Sequence, residues 1–142
     1  MKRVYVDEKW CLGCHLCEYN CAFANSGKKD MVSALKGVKP NPRIRVEEGG
    51  DICFAVSCRH CSEPLCVKSC ISGAMSVHEG VIKVDRERCV GCLSCVMACP
   101  YGAVAAGPDG PVQKCELCLE NQCGQPACVA GCPNKAIIYE ER

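Results

Sequence analysis

Nowhere does this chain carry an apolar run long enough to cross a bilayer. Met1-Lys2-Arg3-Val4-Tyr5-Val6-Asp7 leads almost directly into a cysteine motif, without room for an apolar signal segment. The expectation is a soluble cytoplasmic protein with no membrane insertion of its own. Aromatic residues are scarce: Tyr5, Trp10, Tyr19, Phe23, Phe54, Tyr101 and Tyr139. A core built from ordinary side chains would therefore be thin for 142 residues. Net charge is +1, which gives no electrostatic ground for nucleic acid or a lipid surface as partner. The chain also lacks a Gly-x-Gly-x2-Gly fingerprint, a phosphate loop and a nucleophile with a base, so no residues are there to carry intrinsic catalysis.

Cysteine, by contrast, is abundant, with 18 residues, and all but Cys53 and Cys123 fall into four spaced runs. The first is Cys11-x2-Cys14-x2-Cys17-x3-Cys21, and the third is Cys89-x2-Cys92-x2-Cys95-x3-Cys99 followed by Pro100. The second is Cys58-x2-Cys61-x4-Cys66-x3-Cys70, and the fourth is Cys115-x2-Cys118-x9-Cys128-x3-Cys132 followed by Pro133. A cubane needs four soft thiolates at tetrahedral corners, and one tight Cys-x2-Cys-x2-Cys loop covers three of them. Structural zinc usually pairs two Cys-x2-4-Cys knuckles, which suits these crowded runs poorly. A disulfide scaffold requires an oxidising compartment, which the missing signal segment disfavours. Four [4Fe-4S] clusters are the expected cargo, and their binding energy would be folding energy.

The runs repeat in pairs. Cys11-Leu12-Gly13-Cys14-His15-Leu16-Cys17 aligns with Cys89-Val90-Gly91-Cys92-Leu93-Ser94-Cys95, and Pro64-Leu65-Cys66-Val67-Lys68-Ser69-Cys70 aligns with Pro126-Ala127-Cys128-Val129-Ala130-Gly131-Cys132. The second alignment favours Cys128 over Cys123 as third ligand of the fourth run and leaves Cys123 as a spare thiol within an insertion. Gly13 and Gly91 are expected to turn the backbone with positive φ and aim amides at sulfur. Pro100 and Pro133 have no counterparts at Ala22 and Ile71, a departure from the signature that leaves the ligands untouched.

Short elements connect the runs. Val4 to Val6 and Ala136 to Tyr139 read as strands, and Leu16 to Ala24 as a helix carrying Cys17 and Cys21. Hairpins are expected for Arg43 to Glu47 with Ile52 to Val56, for Ala74 to His78 with Val81 to Asp85 across Glu79-Gly80, and between Val104 and Val112. Asn25 to Pro42 shows no clear periodicity and reads as a loop or partner-facing segment. In Ile52-Cys53-Phe54-Ala55-Val56, alternation sets Cys53 opposite Ile52, Phe54 and Val56, and Cys53 is expected to be structural. His15 and His60 lie inside cysteine loops and could hydrogen-bond a cluster or receive a proton, but read first as exposed polar side chains, while His78 precedes a turn. The basic residues Lys28, Lys29, Lys36, Lys39, Arg43, Arg45, Arg59, Lys68, Arg86, Arg88 and Lys114 could offset cluster charge, but read first as solvated surface charges. The fold class is α+β, a duplicated ferredoxin-like arrangement forming one integrated unit, with an inner module of about 51–105 and an outer module of about 1–50 with 106–142.

With four runs in this order, residues 4 to 140 resemble the four-cluster ferredoxin-type subunits of multi-subunit oxidoreductases. That family serves molybdenum and tungsten pterin enzymes such as formate dehydrogenase, dimethyl sulfoxide reductase and aldehyde oxidoreductase, and also carbon monoxide dehydrogenases and hydrogenases. The resemblance implies interleaved ligand sets. Cys11, Cys14 and Cys17 would hold a cluster with Cys132, and Cys115, Cys118 and Cys128 another with Cys21. Cys58, Cys61 and Cys66 would take Cys99, while Cys89, Cys92 and Cys95 would take Cys70. It implies a non-catalytic electron conduit of anaerobic metabolism, passing single electrons between a catalytic subunit and a second redox partner such as a ferredoxin. The competing readings are a free polyferredoxin carrier, the electron-transfer partner of an NAD(P)H-oxidising flavoprotein, and a zinc or disulfide interaction scaffold.

Overall fold

The computed structural model describes residues 1–120 and 124–142, so Cys123 lies outside the described residues. In chain order the elements are β1 (Arg3–Val6), α1 (Leu16–Ala24), α2 (Met31–Leu35), β2 (Arg45–Gly49), β3 (Ile52–Val56), α3 (Leu65–Ser69), β4 (Met75–His78), β5 (Val81–Val84), α4 (Ser94–Ala98), β6 (Ala105–Ala106), β7 (Val112–Gln113), α5 (Ala127–Ala130) and β8 (Ile137–Glu140). This is the α+β mixture of short helices and antiparallel hairpins that the sequence predicts. The chain forms two compact units, Met1–Val56 with Leu117–Arg142, and Ser57–Glu116.

In the first unit β1 pairs antiparallel with β8, from Arg3↔Glu140 to Val6↔Ile137. The Asp7 amide extends the ladder to the Ala136 carbonyl at 2.8 Å. Both strands were expected, but their mutual pairing spans nearly the whole sequence and carries no local signal. Val4 and Val6 pack on a buried cluster of Cys17, Cys21, Ile44, Ala55, Cys128 and Ile137. Cys17 and Cys21 lie four residues apart and share one helical face, so α1 buries both thiols together. Against α1 lies α5, and a Cβ at Gly131 would meet Asn20 Nδ2 at 2.3 Å, so a larger residue there would have to displace the Asn20 side chain.

Two expectations for this unit are corrected. A helical turn, α2, occupies part of the stretch read as loop. The Asp30 carboxylate accepts from the Ser33 amide at 3.0 Å and caps it, a local signal that outweighs the missing periodicity. The β2–β3 hairpin turns at Gly50, with φ 61, and its first strand begins two residues later than expected. Its buried face is that of Cys53 and Ala55, not of Ile52, which is 53% exposed. Gly13 makes this possible, because a Cβ there would lie 2.9 Å from Cys53 Sγ.

In the second unit, β4 and β5 form the expected hairpin. Glu79 and Gly80 both have positive φ, as a tight two-residue turn between right-twisted strands requires. The β6–β7 pair is closed by the Gly107 amide on the Pro111 carbonyl at 3.0 Å. α3 packs against α4, and both feed a core of Cys66, Met75, Ile82, Cys95, Val104 and Val112.

Candidate metal centres

The opening Cys-x2-Cys loop of each run is built on the same backbone device. The residue before the second cysteine is left-handed in all four: Gly13 with φ 68, His60 with φ 46, Gly91 with φ 73 and Leu117 with φ 59. Glycine adopts this conformation freely, whereas His60 and Leu117 bear a steric cost of about 1–2 kcal/mol. Both are held there by burial, at 1% and 3% exposure. His60, expected as an exposed polar side chain, is therefore interior. Its Nδ1 accepts from the buried Ile82 amide at 3.0 Å. His60→Ala should lower resistance to urea by about 1–3 kcal/mol through loss of that acceptor, and His60→Gly by less, since it relieves the backbone. The midpoint of cluster bleaching under anaerobic urea titration measures both.

A second device follows the last cysteine of three runs. Gly73, Gly102 and Lys135 have φ of 69, 62 and 51, and each is followed by alanine. The Ala103 amide thereby donates to Cys99 Sγ at 3.4 Å, and the Ala136 amide to Cys132 Sγ at 3.3 Å. At Cys70, burial raises the thiol, but the Met75 amide, the Ser72 hydroxyl and the Ala74 amide together draw it below its ordinary pKa. The repeated Cys-x3-Ala was legible in the sequence but was not singled out there. Cys21 has no such turn. The Arg43 amide reaches its Sγ at 3.2 Å instead, and Asn25 Nδ2 approaches at 3.6 Å. Further amides meet sulfur from His60 to Cys58 at 3.4 Å and from Val112 to Cys89 at 3.5 Å. Donors aimed at sulfur favour thiolate over thiol, the state in which cysteine binds iron.

The thiols gather in sets. Cys11, Cys14, Cys17 and Cys132 line one cavity of the first unit, together with Trp10, Leu12 and Ile137. Burial pushes the Cys17 thiol up to about 12, with Glu18 and then Cys14 and Cys11 adding like-charge repulsion. Cys21 is raised by burial and by neighbouring Cys118, and Cys128 is buried in the same core. In the second unit Cys66 is raised by burial and then by Cys58, with Cys99 a smaller contributor. Cys95 is raised by burial, with Cys70 and Cys89 adding to it. Cys92 is lowered by the Ser94 hydroxyl and amide. Cys61 is half-buried, and Cys115 falls within the second unit. Repulsion between thiolates from different runs is what a shared cation would relieve, so this donor set fits iron–sulfur clusters.

Exposure is uneven and follows the repeat. Cys14 and Cys92, aligned second cysteines, are exposed, while Cys17 and Cys95, aligned third cysteines, are buried. The histidine in the first loop is partly exposed, as expected, and is fixed by Glu18 at 2.9 Å and Glu48 at 3.2 Å. These two hydrogen bonds raise its pKa. Cys53 sits against Gly13 as a packed thiol. Lys114, expected among the solvated basic residues, is 1% exposed.

Residues 51–142 match a family described as "4Fe-4S dicluster domain". An "Iron-sulfur protein" of Rhodospirillum rubrum is 33% identical, covering 94% of this chain and 79% of its own length. "Electron transport protein HydN" of Escherichia coli K12 is 36% identical, covering 98% and 87%. The "Probable anaerobic dimethyl sulfoxide reductase chain YnfG" of the same organism is 35% identical, covering 95% and 71%. A chain of the "Active site complex BamBC of Benzoyl Coenzyme A reductase" has the same fold, with a TM-score of 0.56 at 24% identity over 100% of this chain and 78% of that one. No helix among the described residues is long and apolar enough to cross a membrane. With its spaced thiols, sulfur-directed amides and these relatives, the chain belongs to the 4Fe-4S dicluster-domain family and is a ferredoxin-type iron–sulfur protein of electron transfer.

Proposed function

We propose that the chain carries electrons one at a time along four [4Fe-4S] clusters, between a catalytic oxidoreductase subunit and a second redox partner in a reducing cytoplasm. The carrying observation is that thiols from different runs converge within each unit: Cys132 joins Cys11, Cys14 and Cys17 around one cavity, and Cys99 joins Cys58 beside Cys66. This convergence supports interleaved ligand sets. They are Cys11, Cys14, Cys17 and Cys132; Cys58, Cys61, Cys66 and Cys99; Cys89, Cys92, Cys95 and Cys70; and Cys115, Cys118 and Cys128 with Cys21.

When bound, the clusters supply one-electron chemistry. The chain's own residues supply four thiolates per site, amides that favour negative charge at sulfur, and aliphatic side chains that exclude water from the inner sulfurs. The name carried by YnfG supports the catalytic chain of a dimethyl sulfoxide reductase-type enzyme as partner. The test is anaerobic isolation of the untagged complex. The expected result is a brown protein with about four irons per cluster, close to sixteen in all, in fixed stoichiometry with a catalytic chain. A monomer with no companion would leave the free-carrier reading, and eight irons would reduce the cargo to two clusters.

A further inference from the structure

Lys114 is buried to 1% exposure within the second unit. Its ammonium donates to the Ile82 carbonyl at 2.5 Å and to the Cys115 carbonyl at 2.6 Å. The carboxylate two residues on, Glu116, accepts from the Val84 amide at 3.0 Å instead. Among the described residues the Lys114 hydrogen bonds go to neutral carbonyls, and a buried cation so held is expensive unless a negative charge lies nearby. The hydrogen bonds around it lead to sulfur. Ile82, whose carbonyl Lys114 holds, donates its amide to His60 Nδ1, and the His60 amide donates to Cys58 Sγ at 3.4 Å.

We propose that Lys114 is the internal counter-ion of the cluster held by Cys58, Cys61, Cys66 and Cys99, a fixed positive charge that raises that cluster's reduction potential. The inference rests on the ligand set proposed above. A cubane with four thiolates is a net anion, and each added electron deepens that charge. A cation in low-dielectric surroundings stabilises the reduced form more than the oxidised one. Surface lysines act weakly at such a distance because solvent screens them. Lys114 is thus a positioning residue for electrons, and binds no iron itself.

The experiment is anaerobic EPR-monitored potentiometry of the cluster-loaded full chain and of Lys114→Met, Lys114→Gln and Lys114→Arg. The neutral variants should shift one midpoint negative by at least tenfold in the oxidised-to-reduced ratio, 59 mV for one electron. Lys114→Arg should keep it near the wild-type value. The shifted signal should be the one lost in Cys66→Ala. Midpoints unmoved in neutral variants with full iron content overturn the counter-ion. A shifted signal that survives Cys66→Ala keeps the charge effect but overturns the ligand set. If the neutral variants do not assemble, pulsed EPR of reduced wild-type protein labelled with ζ-15N-lysine decides. A lysine nitrogen coupled to a cluster supports the inference, and its absence overturns it.

Discussion

Removal of iron by a chelator under reducing conditions should abolish the cooperative fold of both units. Half of the buried cluster in the first unit is cysteine: Cys17, Cys21 and Cys128 stand beside Ile44, Ala55 and Ile137. The second unit relies on Met75, Ile82, Val104 and Val112 around Cys66 and Cys95. Burying an aliphatic side chain contributes about 1.5–3 kcal/mol, while ordering each residue of a chain costs on the order of 1–2 kcal/mol. So few aliphatics cannot order so many residues. Without metal the interior also holds thiols in an apolar setting, and Cys17 at about 12 stays protonated at neutral pH. Iron binding must displace such protons, so cluster assembly and folding proceed together and strengthen as pH rises. Far-UV circular dichroism and a denaturant titration of the iron-free chain measure this, and a cooperative transition surviving in that chain would refute it.

The second large effect concerns which thiols share a cluster. Cys132→Ala should remove about a quarter of the iron, one cluster of four. Cys14→Ala combined with Cys132→Ala should lose no more than either change alone, because both residues serve the same site. Cys118→Ala combined with Cys132→Ala should lose about twice as much. Were each run to hold its own cluster, the pattern would reverse, with Cys118 and Cys132 acting on one site and Cys14 on another. Such non-additivity reads out shared membership directly. The cavity lined by Cys11, Cys14, Cys17 and Cys132, and the proximity of Cys118 to Cys21, lead to the interleaved outcome.

Local chemistry made much of this legible in sequence. Leu16–Ala24 is the helix its pattern predicts, and the turn at Glu79-Gly80 follows from residues that tolerate positive φ. Gly13 and Gly91 turn as expected. What escaped was decided by contacts distant in sequence. The β1–β8 pairing joins residues more than a hundred positions apart, and no composition rule selects that partner. His60 and Lys114 were read as exposed because charged and polar side chains usually are. Their burial depends on the edge of β5, where Ile82 offers an amide to one and a carbonyl to the other. The helix at Met31–Leu35 escaped because five residues are too few to show a period, although its Asp30 cap was there to read.

The unequal exposure of aligned cysteines bears on how the protein ages. Cys14 and Cys92 are exposed residues, while Cys17 and Cys95, three positions on, are buried. Oxidation of thiolates follows accessibility, so air would corrode the first and third loops from these corners inward. The same exposed corners are where an electron could leave for a partner, so the openings suited to passing electrons are also those that admit dioxygen.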